Sequence, residues 1–392
     1  MIHFAFMARL PAFGLVPLLI GLSAGGSSAQ ESSATAKLAP VPVSLVAPAA
    51  RIESAPLRVA PTRPAPSPVL WAVTSLRNTD YVSLREVAQR FALKAAWAKP
   101  EVAMTLSDAR GVRLAFEGNQ HDFYFDNLRI FLGAPVLNYK DGLWISLLDA
   151  IKIVAPLFRP ADHFAFLPQQ APKTIVLDPG HGGIDPGTES KRLGLNEKTL
   201  TLEVALRLKP LLEARGWRVL LTRTEDRELS RDKKTDLLLR NEFANRQKAD
   251  VFLSIHFNSA PDNIAGIETY AMAPRSMRST GDELGDEMTK VAYPSNRFDY
   301  ANLLFGAEIH RALRATLKTP DRGYKRGRLA VLRMLDCPGV LVECGYLSNE
   351  MEARRLATPA FRQQIAEALA AGLDNYAAAL TALRTNAGFA TP

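Results

Sequence analysis

Glu343 stands inside Gly339-Val-Leu-Val-Glu-Cys-Gly345, an otherwise apolar run of strand character. A charge in that setting is costly to bury without a cation, a hydrogen-bond donor or a proton-carrying duty. The fold must therefore bring something to this strand, and a structural ion pair would suffice. Two other segments share the design of a short apolar run leading into a chemically capable side chain. Thr174-Ile-Val-Leu177 leads into Asp178-Pro-Gly-His181-Gly-Gly183, and Val251–Ile255 leads into His256-Phe-Asn258. Between them, Leu200, Val204, Leu208 and Leu211 or Leu212 repeat at helical spacing after Asn196, a natural N-cap that places Glu197 in the first turn. Pro210 predicts a kink or an early last turn. Trp217–Leu221 reads as a strand and Asp236–Asn245 as a charged helix. Alternating strands and helices predict an α/β domain, and in open α/β sheets sites assemble at the carboxyl ends of the strands.

Taken singly, these residues have plain readings. His181 can be a satisfied loop histidine, and Glu197 an ordinary acid at the positive end of a helix dipole. Together, two histidines and a carboxylate form the ligand set of a catalytic zinc with a place left for water. Their wide separation makes no local zinc motif, so that reading depends on the fold.

The rest of the chain narrows the class. Its 392 residues suit two domains with extensions, and 47% hydrophobic with 22% charged residues describes an ordinary globular protein. Two cysteines exclude a disulfide scaffold and any four-cysteine metal site. If the segment from Pro338 to Cys344 is extended, Cys337 and Cys344 lie roughly 20 Å apart, against the limit of about 7 Å for a disulfide, so both are expected unpaired. The net charge of +8 favours polyanionic partners. No nucleic-acid partner is expected, since neither a DNA-reading motif nor an aromatic-rich RNA-binding signature is present.

Arg9, the broken apolar stretch Leu10–Leu22 and the small residues Gly26–Ala29 read as an export signal over residues 1–29, cleaved before Gln30. No later run approaches a membrane span, so no stable span is expected after signal removal. The expected location is periplasmic or extracellular. Residues 30–69 read as a Pro/Ala-rich linker, with proline at 40, 42, 48, 56, 61, 64, 66 and 68. A small α+β domain is expected over 70–170. Within it Tyr81-Val-Ser-Leu-Arg-Glu-Val-Ala88 overlays Trp144-Ile-Ser-Leu-Leu-Asp-Ala-Ile151, a strand running into a capping serine with an acid three places on. Val112–Phe116, His121–Phe125 and Leu128–Leu132 read as strands separated by Gly118-Asn119 and Asp126-Asn127. Residues 70–158 resemble the module named after the N-terminal domain of copper amine oxidases, although His121 is the only histidine in that span and no copper site is expected.

Four motifs now stand in order: Asp178-Pro-Gly-His181-Gly-Gly, Asn196-Glu197-Lys198, Ser254-Ile-His256-Phe-Asn258 and Val342-Glu343-Cys-Gly-Tyr-Leu-Ser-Asn349. Together they resemble the motifs of zinc-dependent N-acetylmuramoyl-L-alanine amidases, over a catalytic domain at 171–385. The resemblance implies an α/β fold with one mostly parallel sheet and helices on both faces. It implies Zn2+ held by His181, Glu197 and His256, with Glu343 as catalytic carboxylate. The substrate it implies is peptidoglycan, cut at the amide between N-acetylmuramic acid and L-alanine. Phe257 and Cys344 depart from small or apolar family residues without touching these groups.

Asn258 and Arg333 are the candidates for substrate contact. Arg333 closes a basic cluster with Arg322, Lys325, Arg326 and Arg328, read either as a solvated face or as an attractor of stem-peptide carboxylates, and Leu329–Leu332 reads as a strand. His310 reads as a surface histidine and His163 is unassigned. Some family members carry a helical plug between the second histidine and the last glutamate, released by an activator protein. Here Arg278–Arg297 is short and weakly apolar, which favours a substrate-contacting rim over autoinhibition. Two alternatives remain open: another zinc amide hydrolase (a peptidase or glycan deacetylase), or a non-catalytic wall-binding regulator.

Overall fold

The computed structural model describes residues 71–386, apart from 110, 141, 167–169 and 283–286. The expected export signal (1–29) and linker (30–69) lie outside the described residues. β1 (Thr74–Leu76) and β2 (Thr79–Ser83) form a hairpin that runs directly into α1 (Leu84–Arg90). The Ser83 hydroxyl caps α1 by accepting from the Glu86 amide at 3.1 Å. An antiparallel meander follows: β3 (Lys94–Lys99), β4 (Ala103–Ser107), β5 (Arg113–Glu117), β6 (Asp122–Phe125) and β7 (Leu128–Phe131). Asp126 and Asn127 turn β6 into β7 with positive φ of 46° and 66°. β8 (Leu137–Tyr139) and β9 (Gly142–Ser146) then lead into α2 (Leu147–Asp149) and α3 (Ala155–Phe158). Ser146 caps α2 as Ser83 caps α1, accepting from the Asp149 amide at 3.0 Å. The two copies of the repeat pair with each other, Val82 opposite Ile145 in antiparallel register.

The second half contains β10 (Thr174–Pro179), the short ladder β11 (Glu189–Ser190) with β12 (Leu195–Asn196), α4 (Glu197–Glu213), β13 (Arg218–Leu221), α5 (Lys233–Arg246), β14 (Val251–Asn258) and β15 (Ile267–Met272). It continues through α6 (Asp299–Leu317), β16 (Asp321–Gly327), α7 (Ala330–Arg333), β17 (Gly339–Tyr346), α8 (Glu350–Leu356) and α9 (Pro359–Asn386). α4 keeps helical form past Pro210 to Glu213, so the proline sits in its last turn.

The main sheet has eleven strands in the order β13-β10-β14-β17-β15-β16-β7-β6-β5-β4-β3 among the described residues. It is mixed, which corrects the expectation of a mostly parallel sheet. β13, β10, β14 and β17 are parallel neighbours, but β15 runs antiparallel to β17. The link between β14 and β15 spans only residues 259–266, too short for the crossover that restores strand direction. β15 therefore starts near the end where β14 finishes and runs back. β16 pairs with β15 and with β7 in parallel, and the meander beyond β7 is antiparallel. The described residues form one compact unit, and this sheet runs through it.

Side-chain alternation divides the core. On one face Ile175, Leu177, Leu253, Ile255, Val340 and Val342 pack in a cluster with Val204 and Leu208 of α4, Phe305 and Ile309 of α6, and Leu369 and Leu373 of α9. On the other, Val176, Phe252 and Leu341 pack with Ala244 of α5 and Val331 and Leu332 of α7. The apolar run at 329–332, expected as a strand, is helical from Ala330. Val331 and Leu332 both point into that second cluster, a demand that a short helix meets and that apolar composition alone does not distinguish from a strand.

Candidate metal centre and active site

His181 follows β10 in the left-handed conformation (φ 62°), strained for a residue with a Cβ. Two buried arginines hold the turn. Arg240 donates to the carbonyls of Pro179 and His181, both at 2.9 Å, and Arg223 donates to those of Pro179 and Gly180 at 3.1 and 2.9 Å. Asp178 balances this positive charge from within β10, accepting from Arg240 at 2.9 Å and from the Thr222 and Ser254 hydroxyls at 2.7 Å. Burial pushes the Asp178 carboxyl up, but Arg240 and the hydroxyls outweigh it and hold the group below its usual range.

Glu197 opens α4. Its position comes from the Asn196 cap, whose side-chain Oδ1 accepts from the Thr199 amide at 3.1 Å. The carboxylate turns back towards both histidines: Oε2 lies 3.1 Å from His181 Nε2 and Oε1 lies 2.8 Å from His256 Nδ1. Backbone amides of Thr188 and Phe257 donate to the same two oxygens at 2.8 and 3.0 Å. Burial pushes Glu197 up, and the hydrogen bonds from both histidines overcome this and hold it well below the carboxylate range. His181 Nδ1 meets Asp185 Oδ2 at 2.9 Å, and Lys233 steadies that carboxylate at 2.7 Å. Burial lowers the His181 pKa, yet Glu197 and Asp185 outweigh it and raise it.

His256 lies within β14, which extends to Asn258, three residues beyond the expected strand. One donor atom each from His181, Glu197 and His256 lies within 4.8 Å of the others. Two glycines make this approach feasible. A Cβ on Gly180 would fall 2.2 Å from the His256 ring, and one on Gly187 (φ 67°) would fall 2.5 Å from Glu197 Oε2. Glu343 sits beside His256 in the β14–β17 register, with its Oε2 buried and lacking a hydrogen-bond partner. Burial, then the negative charges of Glu197 and Glu268, push its carboxyl well above the usual range. A compact nitrogen and oxygen donor set beside an orphaned carboxylate oxygen fits a bound zinc with water as a further ligand.

Residues 175–375 match the family model for N-acetylmuramoyl-L-alanine amidases. The chain belongs to this family. AmiC of Escherichia coli O6:H1 is 29% identical over 311 residues, 69% of this chain and 72% of AmiC. The germination-specific N-acetylmuramoyl-L-alanine amidase of Bacillus subtilis is 30% identical, over 59% of this chain and 94% of that one. An uncharacterized cell wall amidase of Bacillus anthracis is 35% identical over 52% of this chain, and the match spans 35% of that protein's length. The solved structure of an N-acetylmuramoyl-L-alanine amidase from Clostridium difficile 630 has 29% identity and a TM-score of 0.42, covering 53% of this chain and 97% of that one.

Around this cluster lie residues that motif reading passed over. Glu268 of β15 stands opposite Glu343 in register and is 2% exposed. It gathers Lys325 Nζ at 2.6 Å, Arg322 Nε at 3.0 Å, the Tyr270 and Tyr346 hydroxyls at 2.7 and 2.6 Å, and Asn258 Nδ2 at 3.2 Å. Burial raises its pKa, but Lys325 and the tyrosines outweigh this and keep it low. Asn258, a candidate for substrate contact, thus faces this network. Arg333 instead ends α7, where its Nε donates to the Arg328 carbonyl at 2.7 Å and its guanidinium lies 5.6 Å from the Tyr293 ring centroid. Nor is the basic cluster one solvated face: Arg326 and Arg328 are buried, at 3% and 8% exposure. His310, expected at the surface, is fully buried between Thr269 Oγ1 and Asp321 Oδ1, each at 2.9 Å. Its helical position gave no sign that α6 turns this face towards β15. His163 stacks on Tyr300, with ring centroids 4.5 Å apart. Both cysteines are free and buried.

Proposed function

We propose that this chain is an exported, zinc-dependent hydrolase of peptidoglycan that cleaves the amide between N-acetylmuramic acid and L-alanine. The observation that carries the reading is the convergence of His181, Glu197 and His256 donors within 4.8 Å beside Glu343. These three side chains would hold the metal. What zinc supplies when bound is Lewis acidity towards a carbonyl oxygen and a lowered pKa for water.

The chain's own groups do the rest. Asp185 fixes the His181 ring through Nδ1, leaving Nε2 turned inwards to the site. Glu343, beside His256 in register and acting as the carboxylate, takes a proton from the attacking water and passes one to the departing alanine nitrogen. A glycan strand and a free stem peptide are the products. Export is supported by Arg9 and the apolar run Leu10–Leu22. Among the described residues no helix is long and apolar enough to cross a membrane.

Mass spectrometry of products after incubation with purified peptidoglycan tests the assignment, with Glu343→Gln and a chelator-treated sample alongside. Free stem peptides from the untreated wild type, with turnover down about a thousandfold in Glu343→Gln, are expected. Zinc content should be unchanged in that variant. Shortened peptides or deacetylated sugars would move the assignment to another bond, and a zinc-free, inactive protein would favour the wall-binding regulator.

A further inference from the structure

His256, Glu343 and Glu268 occupy one row across β14, β17 and β15, on one face of the main sheet. α5 and α7 cover part of that face. Beyond Glu268 the same face continues onto β16 and β7. Lys325 stands opposite Tyr270, whose hydroxyl donates to Glu268, so both share the face of the acids. Ile130 is paired with Tyr324 on the opposite face, and alternation therefore turns Arg129 and Phe131 to the side of Lys325. The Phe131 ring lies against Gly323, where a Cβ would sit 2.8 Å from it. Lys325 Nζ approaches the ring centroid at 5.4 Å and the Arg129 guanidinium at 4.9 Å.

The charges along this row are unevenly shared: Glu268 has two cation partners, while Glu343 Oε2 has no hydrogen-bond partner. Lys325, with a side chain 13% exposed, spends its charge on Glu268. Arg322 shares that same carboxylate, yet its side chain is 35% exposed and its guanidinium lies 5.4 Å from the Tyr346 ring centroid. One carboxylate thus serves two cations. Arg129 is matched by Asp122 through Nε at 2.9 Å, and its side chain is 33% exposed. The result is a half-exposed guanidinium that shares its carboxylate with Lys325 next to the Glu343 site, followed by an aromatic ring with a second half-exposed guanidinium beyond it.

Resting on the amidase reading, we infer that Arg322 and Arg129, with the Phe131 ring between β16 and β7, form a specificity subsite for a carboxylate of the substrate's stem peptide. The meander strand β7 would thereby supply part of the substrate wall. Arg322 meets the carboxylate by charge-assisted hydrogen bonding, and the ring takes the aliphatic carbons that bear it. A neutral, amidated peptide forfeits the first of these contacts.

The test uses the full chain and two soluble muropeptides that differ at one stem-peptide carboxylate, free in one and amidated in the other. KM and kcat are measured for wild type, Arg322→Gln and Arg129→Gln, and Kd for both ligands is measured by calorimetry. Wild type should favour the free acid by about tenfold, equivalent to about 1.4 kcal/mol, with the preference residing in KM. Arg322→Gln should abolish the preference, Arg129→Gln should reduce it, and Arg322→Lys should restore part of it. Equal KM and Kd for acid and amide in wild type would overturn the inference. So would a variant that weakens both ligands equally, which is the signature of a structural role. If a glutamine variant fails to fold, loss of the wild-type preference in 0.5 M salt decides whether charge carries it. Should wild type cleave neither ligand, the amidase reading fails, while the calorimetric acid-to-amide ratio still judges the subsite.

Discussion

Asp185 has no place among the groups that would touch a metal, yet it governs one of them. Its Oδ2 lies 2.9 Å from His181 Nδ1 and 2.7 Å from Lys233 Nζ, and burial, outweighed by these two partners, leaves its pKa at about 2. Partners of this kind fix ring orientation and tautomer, and their removal typically weakens metal binding by about 10- to 100-fold. Asp185→Asn should lower zinc affinity in that range in competition with a chromophoric chelator while leaving the far-ultraviolet dichroism unchanged; an unaltered affinity would make Asp185 a bystander. The four residues that the fold gathers here could be picked out in sequence because each lies in a short motif. Asp185 was not, since an aspartate four places after a histidine, here in the loop that follows β10, has no periodicity to mark it. Glu268 escaped for a similar reason: its role exists only once β15 lies beside β17.

At the level of single elements, β10 carries the heaviest electrostatic demand. Asp178 and Arg240 have side chains 1% and 3% exposed, and Arg240 also supports the His181 turn. Removing one member of a buried pair strands the other, at about 3–5 kcal/mol. Asp178→Ala should lose stability of that size in urea unfolding, and a loss under 1 kcal/mol would refute this account. The capped repeat gives a second case. Asp149 accepts from Ser146 Oγ and from the amides of Gly133 and Ala134. Burial nonetheless raises its pKa to about 6 from 3.8. A carboxyl with folded pKa above its unfolded value favours the folded state most at low pH. Its contribution should therefore decline as pH rises from 3.8 to about 6 and level off above. The difference is on the order of 3 kcal/mol, and Asp149→Asn should flatten this slope in unfolding midpoints. Capping serines and turn residues made these elements readable in advance. The apolar run at 329–332 was ambiguous because its helical form answers to the second core cluster, a long-range demand. Strand direction was equally hidden, since β15 reverses only because its connection is short.

In the molecule as a whole, metal binding and folding are one equilibrium if His181, Glu197 and His256 bind zinc only when assembled. These residues come from the loop after β10, the start of α4 and β14. An unfolded chain does not hold them together, so free zinc at a hundred times its Kd should add about 2.7 kcal/mol of stability. Stripping with a chelator should lower Tm by several degrees, and zinc, but not magnesium, should restore it; an unmoved Tm would mean the triad stays empty at that zinc concentration. The buried cysteines have a consequence of another kind. Cys344 follows Glu343 on β17 at 1% exposure, and burial pushes its thiol far above the usual range. Such a thiol reacts only when its strand opens. Its labelling rate by an aromatic disulfide reagent is therefore a clock for β17, timing how often the strand that bears Glu343 comes away from its neighbours.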